Sequence, residues 1–197
     1  MSGLVLASTS RSRIALLRGA GVDFTARSPG VDEELAKTAL LAEGADPRRV
    51  AEVLAGMKAV AVSEQTPGLV IGADQTLDLD GALVDKAATL QEARARLIAL
   101  RGRRHRLHAA VVVARDGAPV WETVETATLD MRDFSDEFLG AYLARAGDGV
   151  LGSVGCYQLE GLGLQLFERI EGDYFTILGL PMLALLDFLR GEGALER

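Results

Sequence analysis

The sequence predicts an α/β domain built on one twisted sheet of mixed strand direction, and three observations carry that prediction. Short apolar runs at residues 4–7 and 69–73 are bounded by glycine and polar residues and have the length of buried strands. Between such runs lie stretches with apolar residues every three or four positions, the period of amphipathic helices. Two Asp-Gly pairs, Asp80-Gly81 and Asp116-Gly117, each join strand-like segments and mark antiparallel hairpins inside an otherwise alternating βα order.

Taken in order, residues 4–7 read as a buried strand and residues 11–18 as a helix with Ile14, Leu16 and Leu17 inward, closed by Gly19 and Gly21. A second strand is expected over 22–27, ending at "SPGVDEE". Residues 48–64 form a helix despite Gly56, stopped by Pro67-Gly68. "LVIGADQTLDLDG" then gives a buried strand that turns at Asp80-Gly81, and a helix follows over 89–100. "HRLHAAVVVARDGAPVWETVETATLDM" reads as two long strands around Asp116-Gly117. Ser135 with Glu137 caps a helix running to about Ala146, and a glycine-rich stretch leads to an expected strand pair in "YQLEGLGLQLFERI". Pro181 opens a last helix that runs to about Arg190.

A chain of 197 residues, 49% hydrophobic and 25% charged and without repeats or low-complexity tracts, is expected to fold as a single domain over 1–197. With 28 acidic against 21 basic residues the net charge is -7, which disfavours a general nucleic-acid surface because phosphate-backbone binding needs a basic face. Cys156 is the only cysteine and there are two histidines, so neither an intramolecular disulfide nor a cysteine-based zinc site is expected. The absence of a basic-apolar leader and of a long apolar run leads to the expectation of a cytoplasmic protein with no membrane partner.

Chemistry concentrates in a few places. In "ASTSRSR" the hydroxyls of Ser8, Thr9, Ser10 and Ser12 and the cations Arg11 and Arg13 stand between a strand end and a helix start. Unpaired helix amides, hydroxyl donors and guanidinium forks suit phosphate, although Ser10 or Ser12 as an N-cap with solvent-facing arginines accounts for the same residues. Asp74 and Gln75 follow a buried run, the place where an α/β sheet presents reacting groups; a turn or capping aspartate is the other account. Asp32, Glu33 and Glu34 are either Mg²⁺-holding carboxylates or acids in the first turn of a helix. Lys58, on an otherwise apolar helical face, and Lys86, in "VDKA", either reach a phosphate or serve as a snorkelling and a loop lysine. His105 reads as an oxyanion donor or a structural histidine, and Glu160, in "QLEGLG", as a ligand-facing acid or an exposed hairpin residue.

The ordered set "LVLASTSRSRIALL", "SPGVDEE", "LAGMKA", "VIGADQTLDLDG", "ALRGRRH", "FSDEFLGAYL" and "GCYQLEGLGLQLFERIEGDYFTILGLP" resembles the Maf proteins, septum-formation relatives that act as nucleoside triphosphate pyrophosphatases. The resemblance implies a long twisted mixed sheet with flanking helices in two lobes around a nucleotide cleft, as in inosine triphosphatases. It implies cleavage between the α- and β-phosphates, with Asp74 as proton acceptor for water and a metal site of Glu33 and Asp74. Ser8, Ser10, Arg13, Lys58 and Lys86 are the implied phosphate-binding residues. The implied cofactor is Mg²⁺, with Mn²⁺ as the alternative, and the implied assembly is a homodimer. Base selection would rest on Ser12, Gln75 and Glu160, and the "DQ" and "LEGLG" forms resemble the branch that prefers 7-methyl-GTP. The family's name also suggests the alternative of a non-catalytic, nucleotide-binding regulator of cell division.

Overall fold

The computed structural model describes residues 3–196. Seven strands make one mixed sheet in the order β2-β1-β3-β5-β6-β7, with β4 paired to β3. The strands are β1 (Val5–Ala7), β2 (Thr25–Ala26), β3 (Val70–Leu79), β4 (Ala82–Val84), β5 (Arg104–Arg115), β6 (Ala118–Met131) and β7 (Phe167–Glu171). The helices are α1 (Arg11–Gly19), α2 (Glu33–Ala42), α3 (Pro47–Ser63), α4 (Leu90–Leu100), α5 (Asp136–Ala146), α6 (Tyr174–Ile177) and α7 (Met182–Gly191). β1 runs parallel to β2 and β3, while β3, β5, β6 and β7 are successively antiparallel. Both Asp-Gly pairs make the expected hairpins, with positive φ at Asp80, Gly81, Asp116 and Gly117 as a two-residue turn of the primed type requires.

The long strands carry three packed regions. On one face, Ile71, Ala73, Val111 and Val113 meet Leu6, Leu17, Leu185 and Leu189 of β1, α1 and α7. Further along the same strands Leu77, Leu107 and Leu129 pack with α4, α5 and the segment around Tyr157 to Leu166. On the opposite face the small residues Ala110, Val112 and Ala114 receive Ala51, Ala55 and Ala59 of α3. Alanine at four-residue spacing lets α3 lie directly on the sheet, and Gly72 closes the remaining distance. A Cβ built there would stand 2.2 Å from the Ala55 carbonyl oxygen and 2.5 Å from the Ala59 nitrogen.

Two expected strands differ. The strand read over 22–27 reduces to Thr25–Ala26 because its partner among the described residues, β1, is three residues long, and Val22 instead closes the turn after α1 through its amide to the Leu17 carbonyl. The pair expected in 157–170 has only its second member, β7. Gly163 packs against the Gln158 main chain, where a Cβ would lie 2.5 Å from the carbonyl oxygen, and the chain coils into a 3₁₀ helix over Leu162–Leu166. The leucines at 162, 164 and 166 mimic strand alternation, yet Leu164 is exposed. Glu160 therefore lies on a turn rather than between strands. Among the described residues no helix is long and apolar enough to cross a membrane.

Candidate active site

A gap in the sheet creates the site. β1 pairs with β3 only as far as Ala7 opposite Gly72, and β4 takes up the same edge only from Leu77 opposite Val84. Between them β3 is bare on one edge over residues 73–76 while β5 covers the other edge throughout. A cavity of about 1150 Å³ opens there, and the ten residues to which the resemblance assigns roles, Ser8, Ser10, Ser12, Arg13, Glu33, Lys58, Asp74, Gln75, Lys86 and Glu160, line it, whereas the candidates Asp32 and His105 do not.

Its charged centre is built by α3. Because the alanine face and Gly72 hold that helix against β3, Lys58 turns its ammonium into the site, 2.6 Å from Asp74 Oδ1 and 2.7 Å from Glu33 Oε2. Lys58 and Asp74 are 5% and 8% exposed, so the lysine is not snorkelling to solvent. Asp32 caps α2 by accepting from the Leu35 amide, which places Glu33 in the first turn. On the same helix Lys37 bridges Glu34 and Asp85 at 2.6 Å each. Burial opposes the Lys37 charge, but those hydrogen bonds outweigh it and raise its pKa. Lys86, next to Asp85, is exposed and makes no ion pair with the described residues.

The serine loop does not cap its helix in the ordinary way. Ser10 occupies the N-cap position of α1 without a side-chain bond to the first turn. Its hydroxyl lies 3.0 Å from that of Ser12, and its amide donates to the buried Ser8 Oγ at 3.2 Å. The first-turn amides are thus left without a side-chain cap at the cavity, where the helix end favours an anion. Arg11 is exposed, but Arg13 turns inward. Its Nε donates to the Gly179 carbonyl and its Nη1 to the Ala73 carbonyl, both at 2.9 Å. Burial lowers its pKa, against the pull of Asp74 and Glu33. Gln75, on the face opposite Asp74, donates from Nε2 to the carbonyls of Thr176 at 2.9 Å and Ile177 at 3.0 Å.

Sequence reading missed the part played by the segment from Asp173 to Gly179. Asp173 caps the short α6 by accepting from Phe175 and Thr176 amides, and the fully buried Thr176 donates its hydroxyl to Glu125 at 2.6 Å. The Asp-x-x-Thr pattern before Gly-x-Pro carried the signal of a capped turn. It also missed Tyr157, which lines the cavity and has its hydroxyl 2.7 Å from His105 Nε2. His105 takes the structural role: 1% exposed and with Nδ1 unpartnered among the described residues, its pKa is pushed down to about 4 by burial, against the pull of Asp130. Near pH 7 both folded and unfolded histidine are neutral and the shift contributes nothing. As pH falls from about 6.5 towards 4 the unfolded state takes up the proton first, so stability should drop by about 3 kcal/mol over that interval. Urea midpoints at pH 7.5, 5.5 and 4.5 would show this decline in the native protein, and a much smaller one in His105→Gln.

No group of three or more His, Cys, Asp and Glu side chains is gathered to hold a metal among the described residues. Glu33 and Asp74 nonetheless converge on one cation, the Lys58 ammonium. Two carboxylates fit Mg²⁺, which is commonly held by one or two acids with substrate phosphates and water completing its shell.

Sequence comparison with known proteins finds matches over nearly the full chain. The family model described as "Maf-like protein" matches residues 3–192. A nucleoside triphosphate pyrophosphatase of Caulobacter vibrioides is 62% identical over 195 residues, covering 99% of this chain and 98% of the relative. A 7-methyl-GTP pyrophosphatase of Brucella abortus is 48% identical over 194 residues, covering 98% of each. Among solved structures, a HAM1 protein from Coxiella burnetii aligns with 68% of this chain and 75% of its own at a TM-score of 0.47 and 16% identity. With the serine loop, the Glu33–Lys58–Asp74 cluster and the "LEGLG" turn around one cavity, and a family match spanning almost every residue, the chain belongs to the Maf family.

Proposed function

We propose that the protein is a nucleoside triphosphate pyrophosphatase that releases pyrophosphate from a guanine-type nucleotide, 7-methyl-GTP being the leading candidate. The observation that carries the reading is the buried acid Asp74, held at 2.6 Å by Lys58 beside Glu33 in a cavity that also receives an uncapped helix N-terminus. Cleavage of a phosphoanhydride asks for charge neutralisation and an oriented water more than for covalent chemistry. The α1 amides and the hydroxyls of Ser8 and Ser10 receive phosphate oxygens, and Lys86 and Lys58 supply positive charge. Asp74 accepts the proton of the attacking water. Glu33 and Asp74 would hold Mg²⁺, or Mn²⁺ in its place; when bound, such an ion would supply charge neutralisation at the phosphates and acidify water.

Base recognition follows from the polarity of the readers. Neighbouring carbonyls occupy the donor side of the Gln75 amide, so its free oxygen is an acceptor. Glu160 adds an acceptor carboxylate to the cavity lining. Acceptors, a carboxylate with two oxygens above all, suit the adjacent N1–H and amino donors on one edge of guanine, and the name of the Brucella relative supports the 7-methylated form. Ser12 offers a hydroxyl and no stacking surface. We take the working unit to be a cytoplasmic homodimer, which size measurements in solution would check. The direct test of the activity is pyrophosphate release from a panel of common and modified nucleoside triphosphates with Mg²⁺. Turnover of none of them would overturn the reading. Glu160→Gln is expected to lower selectivity for guanine-type substrates about tenfold, on the scale of one lost charge-assisted hydrogen bond, with unchanged thermal stability. An unaltered substrate profile in that variant would remove Glu160 from base recognition.

A further inference from the structure

Arg13 stands where a phosphate ligand is expected, yet its guanidinium is already engaged. A guanidinium grips an oxyanion with two parallel N–H bonds along one of its fork edges, either Nε with one terminal nitrogen or the two terminal nitrogens together. In this structure Nε is bonded to the Gly179 carbonyl and Nη1 to the Ala73 carbonyl, so two of the three guanidinium nitrogens are committed to main chain. The two carbonyls lie 60 and 166 residues from Arg13 in the chain. One belongs to the bare edge of β3, immediately before Asp74, and the other to the turn that follows α6.

The turn itself is shaped for this contact. Gly179 has φ of +93°, a backbone that an L side chain adopts at a cost, and a Cβ there would point at Arg13 Nε and Nη2, each 3.5 Å away. Gln75 makes the second tie to the same segment through the Thr176 and Ile177 carbonyls. Where β3 lacks a neighbouring strand, two side chains thus take the place of a ladder and fasten the edge to the α6–α7 turn.

We propose that Arg13 is a positioning residue: by bridging the Ala73 and Gly179 carbonyls it fixes the bare edge of β3, and with it the places of Asp74 and Gln75 in the cavity. Capture of the phosphates rests on other groups. The inference depends on the pyrophosphatase reading only for its kinetic consequence, since the bridge exists in the free protein.

Three variants, Arg13→Lys, Arg13→Gln and Gly179→Ala, test it through kcat and KM for the best substrate, inhibition by inorganic pyrophosphate, and amide hydrogen exchange of the free protein. One ammonium cannot span two carbonyls in the way a guanidinium does, so Lys is expected to be as defective as Gln. Both should lose about 10- to 100-fold in kcat, the scale of a small displacement of reacting groups. Gly179→Ala should move in the same direction with Arg13 intact. The inhibition constant for pyrophosphate in Arg13→Lys should stay within about threefold of native, while amides of Gly179 and Leu180 exchange faster in all three variants and those of β5 and β6 do not. The proposal is overturned if Arg13→Lys restores turnover lost in Arg13→Gln, or if exchange at Gly179 and Leu180 is native in the Arg13 variants. If the native protein hydrolyses no nucleotide, the pyrophosphatase reading falls, and hydrogen exchange still decides whether Arg13 holds the turn.

Discussion

Asp74→Asn is expected to reduce turnover by about 10²- to 10⁴-fold while leaving nucleotide affinity close to native, the usual cost of removing a general base. The substitution is nearly isosteric, and the amide oxygen can still accept from Lys58 Nζ, now 2.6 Å from Oδ1, so α3 has no reason to move. What disappears is the ability to take a proton and one negative charge of the pair that faces Lys58. Pyrophosphate release and equilibrium binding of the same nucleotide, measured side by side, separate the two effects. A variant that turns over at the native rate would sink the assignment of Asp74. A variant that neither binds nor turns over would mean that the carboxylate is chiefly a structural partner of Lys58.

The largest expected effect on stability is at a residue with no side chain. In Gly72→Ala the new methyl would meet the Ala55 carbonyl oxygen at 2.2 Å, the Ala59 nitrogen at 2.5 Å and the Ala59 Cβ at 2.8 Å. None of these atoms belongs to a flexible side chain, so relief requires α3 to back away from the sheet. The expected cost is about 3 kcal/mol or more, at the upper end for overpacking a core. Any folded fraction should also lose turnover, because Lys58 rides on the displaced helix. Gly56→Ala is the control on that helix: its methyl would lie 3.9 Å from Val112 Cγ2, an ordinary contact, and alanine favours a helix over glycine by about 1 kcal/mol. Urea midpoints should fall sharply for the first variant and stay level or rise for the second. Equal midpoints would mean that the contact of α3 with β3 is not the constraint the geometry describes.

Elements set by local chemistry were legible in the sequence. The Asp-Gly hairpins, the Ser135 cap and the long α3 follow from turn geometry, capping and periodicity, which act over a few residues. The failures lie where a distant partner decides. Residues 22–27 had strand composition but only a three-residue neighbour to pair with, and the leucines of 162–166 carried a period of two into a 3₁₀ helix because Gly163 packs on Gln158. At the site, residue types were readable and their connections were not. Nothing local to Lys58 distinguishes a snorkelling lysine from one turned inward, since that depends on Gly72 and on the depth at which α3 seats. The engagement of Arg13 with Gly179 links positions 166 residues apart, beyond any spacing rule.

The interruption in the sheet separates two properties that share a strand. Asp74 and Gln75 are consecutive and point to opposite faces, one towards α3 and the other towards α6. In an ordinary paired strand those faces would open on different compartments of the molecule. Because the edge is bare, one cavity reaches around it and both residues line that cavity. On the proposed roles, selectivity and turnover rest on different side chains of one strand. If the proposed roles hold, changes at Gln75 and Glu160 would retune which base is accepted while the Glu33–Lys58–Asp74 cluster is left untouched, a modularity that would let one scaffold diversify its substrates by a few substitutions.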